Sequence, residues 1–319
     1  MIGDYILERK IEMTVDKNYF PGWVRKSITF TNDDGNIPYD TKFIEILKPY
    51  GILGTFNICS NSFSMEKADM YRSLYRGFGI QNHCDYHPFA LDPDVNFTVS
   101  EDEFDPESAN PDMLYKTDVE GLYYFHAHAW RKGAKTVDYC RFISDCHEKL
   151  EKIFGKGASR GFVWPFCQQK DPKILEFVKE FGYRSARKTG TLKDETGFAL
   201  PADRMAWTYN ATDGNLLELA EIYENYPDDG ELKFFCFGLH SVDYERAEKW
   251  GDLALFAKKY GNRPEDFYYA SVDDIFDYED AVAALEIKED CVYNPSDITL
   301  YIKVDGQRIT LMPKSTYTP

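Results

Sequence analysis

From Lys26 onward, short β-rich runs alternate with stretches that place apolar residues at helical spacing, about seven times in succession. Lys26–Thr31 (KSITFT) reads as a strand that runs into the polar loop Asn32-Asp33-Asp34-Gly35. Tyr39–Lys48 carries Phe43, Ile44 and Leu47 on one helical face and stops at Pro49 and Gly51. Gly54–Cys59 is a second strand, Met65–Arg76 a helix, and Gly77–Gln81 leads into a third strand. Ala134–Phe154 is a long helix closed by Gly155. Gly161–Trp164 is a strand, and Asp171-Pro172 opens the helix Lys173–Phe181. Thr212 or Asp213 caps a helix reaching Tyr226, and Leu232–Phe237 (LKFFCF) is apolar on both faces, as strands of parallel sheets are. Glu245–Tyr260 reads as one amphipathic helix, Phe267–Ala270 as a strand, and Ser271 with Asp274 as a capping-box start to a helix ending at Leu285.

This alternation predicts an α/β fold: a distorted (β/α) barrel of about seven strands over residues 1–288. Thr299–Val304 and Gln307–Met312 flank Asp305-Gly306, a two-residue hairpin signal, so residues 289–319 are expected to form a C-terminal β-hairpin extension packed on the barrel. Phe89–Gly121 is acidic, broken by prolines, and too long for an ordinary connection.

Composition narrows the partners. With 43% hydrophobic residues in 319 the chain has ample material for a large core, and a net charge of −17 argues against nucleic acid, which needs clustered cations. No stretch approaches the roughly 18 apolar residues of a membrane helix. The opening MIGDYILERKIEMTVDKNYF holds no unbroken apolar region, and the seven cysteines form no C-x-x-C pair. Both features predict a cytoplasmic protein with reduced, mostly buried thiols. The 23 Tyr and 23 Phe are read first as core packing.

Three polar clusters follow predicted strands, where barrel enzymes build their sites. They are Asn32-Asp33-Asp34-Gly35, Asn82-His83-Cys84-Asp85-Tyr86-His87-Pro88 and Gly238-Leu239-His240-Ser241. Singly, each has a plain structural reading: Asp-Asp-Gly is turn chemistry, and a lone histidine at a strand end is usually packed or solvated. Jointly, two imidazoles spaced H-x-x-x-H and a carboxylate make a metal site with open positions. A glycosidase would need only two carboxylates and would leave the histidines unexplained.

The motif order resembles that of the polysaccharide deacetylase (NodB-homology) family, carbohydrate esterase family four. T-F-D-D-G corresponds to Thr31-Asn32-Asp33-Asp34-Gly35, and N-H-x-x-x-H-P to Asn82–Pro88. Later segments correspond to Trp164-Pro165-Phe166 and Leu239-His240, and Trp250–Tyr278 is similar to one branch of the family. The resemblance implies a metal held by Asp34, His83 and His87, most naturally zinc, with cobalt, nickel or manganese as alternatives. It implies that Asp33 is the general base acting on metal-activated water, that His240 is the general acid, and that the backbone N–H of Phe166 helps hold the oxyanion. The substrate it implies is an acetylated carbohydrate, or another small acyl amide or ester.

Four departures stand out. Asn32 replaces the family phenylalanine and is expected to add a polar group beside the base. The arginine that pairs with the base is missing near Val163-Trp164, with Arg184 or Arg187 as candidate substitutes. Gly238 replaces a leucine, which implies a reshaped acyl pocket. The fourth motif has no clean match, and Trp207 is the nearest candidate to line the cleft. The missing arginine and the altered fourth motif motivate an alternative: a non-catalytic carbohydrate-binding protein on a deacetylase scaffold. His126-x-His128 and Cys84 are read as ordinary packing, and His147 as helix surface.

Overall fold

The computed structural model of the chain describes residues 13–85, 87, 139–165, 172–188 and 198–319, and the backbone of three short strands between 114 and 131. In chain order the elements begin with β1 (Val15–Tyr19), β2 (Lys26–Asp33), α1 (Ile37–Leu47), β3 (Thr55–Ile58), α2 (Ala68–Leu74) and β4 (Gly79–Asn82). The antiparallel strands β5 (Leu114–Lys116), β6 (Leu122–Phe125) and β7 (His128–Arg131) follow. Then come α3 (Tyr139–Phe154), β8 (Ser159–Val163), α4 (Pro172–Glu180), β9 (Ser185–Arg187), α5 (Leu216–Glu224) and β10 (Lys233–His240). The chain closes with α6 (Ser241–Arg246), α7 (Trp250–Tyr260), β11 (Phe267–Tyr269), α8 (Val272–Ala283), β12 (Glu286–Ile287), β13 (Val292–Tyr293), β14 (Leu300–Val304), β15 (Gln307–Leu311) and β16 (Thr316–Tyr317).

The central sheet is parallel, in the order β10-β2-β3-β4-β8-β9, with β11 against the start of β2. Its curvature follows from one contact. On a flat sheet β2 and β9, four spacings apart, would be separated by roughly 19 Å. Yet Arg187 on β9 bonds directly to Asp33 on β2. The sheet is therefore curled into a half-barrel of the (β/α) type. The gap between β9 and β10 is spanned by residues 207–211, where Trp207 bridges to Arg187 and Ala211 to Phe237.

Side-chain alternation along β2 sorts the two faces. Ile28 and Phe30 join a core with Phe43, Phe56, Leu253 and Phe256 beneath α1 and α7. Phe30 sits among the rings of Phe43, Phe56, Phe78 and Phe237 at 5.0–5.8 Å. Ser27, Thr29, Thr31 and Asp33 on the other face are buried and polar. Thr29 donates to the Ala270 carbonyl and Ser27 to that of Lys233, so these buried polar side chains of β2 are satisfied by hydrogen bonds.

Two expected helices differ. The expected single helix at 245–260 is two, α6 and α7, because Glu248 adopts φ 57° and the chain turns there. α5 begins only at Leu216, since Asn215 Oδ1 accepts from the Thr212 N–H and holds the residues before it in a turn. Ser271 does cap α8, accepting from the Asp274 N–H at 3.2 Å. The hairpin β14–β15 turns at Asp305 (φ 49°) and Gly306 (φ 79°), and β14 also pairs with β1, so the chain's first described strand and its last hairpin share one sheet.

Candidate metal and acid–base site

Asp33 is the last residue of β2 and points to the polar face. Its carboxylate accepts from Arg187 Nη2 on both oxygens at 2.5 Å, and from Asn57 Nδ2 at 2.6 Å. Burial alone would raise its pKa, but the Arg187 guanidinium, with the His240 imidazolium adding to it, overcomes burial and holds it well below the usual carboxylate range. Asn32 faces the opposite way and donates to Asp40 at 2.8 Å. The expectation that it adds a polar group beside the base is thereby corrected, since strand alternation carries it to the helical layer.

Asp34 leaves the strand. Its φ is 76° and that of Gly35 is 71°, so a left-handed turn, not extended alternation, separates the two carboxylates. The turn leaves Asp34 half-buried while Asp33 stays buried. A side chain at Gly35 would meet Ile58 and Phe63 at 3.0 Å.

The two histidines arrive from the end of β4. His83 is buried, and its Nδ1 lies 2.9 Å from the Val163 carbonyl, which fixes that nitrogen as the N–H and leaves Nε2 a lone pair. Cys84 (φ 66°) and His87 (φ 50°) are both left-handed. That backbone turns the Cys84 thiol into an apolar cluster with Tyr139 and Phe162, and burial holds the thiol protonated. His83 Nε2 stands 3.6 Å and His87 Nε2 3.8 Å from Asp34 Oδ1, and the three ligand atoms lie within 4.8 Å of one another. Burial depresses both imidazoles, His87 to about 3, so both are neutral donors at neutral pH.

This donor set fits a divalent cation. Among the described residues the buried His83 Nε2 has no hydrogen-bond partner, an arrangement that is costly unless an electrophile takes its lone pair. Two ligands, each about 2.1 Å from a tetrahedral ion, stand about 3.4 Å apart, close to the spacings here.

His240 ends β10 directly opposite Asp33 in the strand register. Its Nε2 is 3.7 Å from Asp34 Oδ2, and its Nδ1 is 2.7 Å from Asp243 Oδ2. Burial would lower its pKa, but the Asp243 hydrogen bond and the charges of Asp34 and Asp33 raise it to about 9. Sequence reasoning missed Asp243. The signal was available, as an acid three residues after the histidine at a helix start.

A family profile for polysaccharide deacetylases matches residues 24–186, just over half of the 319-residue chain. The chain belongs to the polysaccharide deacetylase family. It is thus placed among hydrolases of acetylated carbohydrate. No curated protein matches it. Among solved structures it is similar to a family 4 acetyl xylan esterase from Clostridium thermocellum, with 13% identity over 79% of this chain and 89% of that one and a TM-score of 0.41. A family 4 carbohydrate esterase from Bacillus anthracis gives 14%, 79%, 83% and 0.39. One from Bacillus subtilis gives 16%, 82%, 85% and 0.38.

Against the deacetylase pattern, the departures resolve as follows. Arg187, from the strand after the usual motif position, holds Asp33, whereas Arg184 pairs with Asp277 at 2.6 Å. The ring of Tyr209 occupies the space a side chain at Gly238 would need, since a Cβ there would lie 2.4 Å from it, and the Arg187 guanidinium sits 5.3 Å over that ring. Trp207 does not line the cleft. It is buried against Phe234 and Phe276. His147 is half-buried rather than on the surface, with Nδ1 3.0 Å from the Tyr183 hydroxyl. Phe166 and His126 lie outside the described residues, as do most of residues 89–121.

Proposed function

We propose that this deacetylase is a metal-dependent hydrolase that removes acetyl or similar small acyl groups from N- or O-acetylated carbohydrate. The reading rests on one arrangement: Asp34 faces both imidazoles with Oδ1 and His240 with Oδ2, while Asp33 stands beside it on a cation of the protein's own, Arg187. Asp34, His83 and His87 would hold the ion, with zinc the best match to one carboxylate and two imidazoles and cobalt, nickel or manganese as alternatives. When bound, it would supply Lewis acidity toward the acyl carbonyl and toward water.

The side chains divide the proton work. Asp33, kept ionised by Arg187 and Asn57, accepts a proton from the attacking water. Arg187 and Asn57 also fix its rotamer, so the base does not swing toward the cation. His240, oriented by Asp243, donates from Nε2 to the departing nitrogen or oxygen, a step that amines require because they leave poorly as anions. The non-catalytic alternative drew on the missing arginine and the altered fourth motif, and Arg187 answers the first of these.

The test is a screen of metal-loaded protein against acetylated amines and esters of mono- and oligosaccharides, reading free acetate. Release that is abolished by a chelator and restored by added zinc is expected. Sugar binding without release from any substrate would overturn the reading.

A further inference from the structure

Asp40 carries a carboxylate that no step above uses. It lies on α1, fully buried at 0% exposure, and accepts three hydrogen bonds. Asn32 Nδ2 (2.8 Å) and Ser241 Oγ (2.6 Å) donate to Oδ1, and the Tyr75 hydroxyl (2.6 Å) donates to Oδ2. Among the described residues no lysine, arginine or histidine is ion-paired with it. Burial pushes it up to about 7 in spite of the bonds from Ser241, Tyr75 and Asn32. A carboxylate kept without a cation in such a place is costly, which points to a job for its three bonds.

The identity of two partners indicates the job. Asn32 immediately precedes Asp33, and Ser241 immediately follows His240. One carboxylate therefore grips the chain neighbours of both the base and the acid. The two differ in how else they are held. Asp33 has its own ties to Arg187 and Asn57. The His240 ring is oriented by Asp243, which rides the same six-residue helix, α6. Where α6 begins thus decides where the imidazole sits. Ser241 is the first residue of α6, is 0% exposed, and bonds to Asp40. Further along, Tyr244 packs on Phe43 of the same helix that carries Asp40, so α1 is the platform for α6.

We propose that Asp40 is a positioning residue that sets His240 against the leaving group by pinning the start of α6 to the end of β2. The proposal rests on the hydrolase reading above and on His240 as its acid. A placement error of about 1 Å costs on the order of a hundredfold in rate, and a group acting only through the acid matters only where protonation of the leaving group is needed.

That dependence supplies the experiment. Zinc-loaded full-length protein is assayed on its best acetylated sugar from the acetate screen and on 4-nitrophenyl acetate, whose phenolate leaves without a proton. Asp40→Asn is expected to lower kcat on the sugar by ~10-fold or more. KM and zinc stoichiometry should stay unchanged, and the aryl ester should lose less than about threefold. Ser241→Ala, which removes one bond and no buried carboxylate, should show the same selectivity more weakly and decides the matter if Asp40→Asn does not fold. Equal losses on both substrates, or no loss on either, overturn the proposal while leaving the hydrolase reading intact. A wild type inert toward both substrates overturns the two together.

Discussion

Arg187 donates through Nη2 to both oxygens of Asp33 at 2.5 Å, across 154 residues of sequence and from the far end of the sheet order. The arginine is 1% exposed and the aspartate 7%. The pair is therefore both a closure of the half-barrel and the control on the candidate base.

Removing the cation leaves a buried carboxylate unpaired. Arg187→Met is expected to destabilise the protein by about 3–5 kcal/mol in urea unfolding. It should also move the acid limb of the kcat/KM profile upward. The sign follows from the cause, because Arg187 holds the Asp33 pKa down and its loss lets burial raise it. An unchanged acid limb in a folded variant would contradict the assignment of Asp33 as base.

Gly238 and Tyr209 form a matched pair. Gly238→Leu restores the usual family residue, yet its Cβ would stand 2.4 Å from the Tyr209 ring. Overpacking of this kind costs about 1–3 kcal/mol. A lowered Tm is expected, with partial recovery in Gly238→Leu combined with Tyr209→Ala. A single variant as stable as wild type would show that Tyr209 does not fill this space.

The acid has its own signature. The Asp243 hydrogen bond helps raise His240 to about 9, with Asp34 and Asp33 adding to it, although a cation bound at Asp34 would draw off part of that support. Activity that needs protonated His240 is lost as pH rises through its pKa. Asp243→Asn removes a nearby anion, lowers that pKa, and should shift the alkaline limb of the kcat profile toward lower pH. A limb that stays in place would sever Asp243 from the acid.

Much of this was legible in the residues. The alternation of strand and helix signals marks the barrel, and the clusters at Asp33-Asp34, His83–His87 and His240 sit at strand ends because parallel strands gather their C-terminal ends on one side. What was not legible depends on angles and distant pairs. The left-handed backbone at Asp34 and Cys84 decides which way those side chains point, and both residues look like ordinary loop members in sequence. Arg187 competes with Arg184 on equal terms until strand register places one inside and one outside the half-barrel. The break at Glu248 interrupts an apolar spacing that runs on through it. Asp40 gives no signal at all, since its three partners come from three other segments.

The central claim is that Asp34, His83 and His87 together bind a catalytic cation, and calorimetric titration of zinc into chelator-stripped protein tests it most directly. One zinc per chain is expected for wild type and for Asp33→Asn, the latter without turnover, and none at the site for His83→Ala. A wild type that takes up no zinc, or a His83→Ala variant that binds as wild type does, would contradict it.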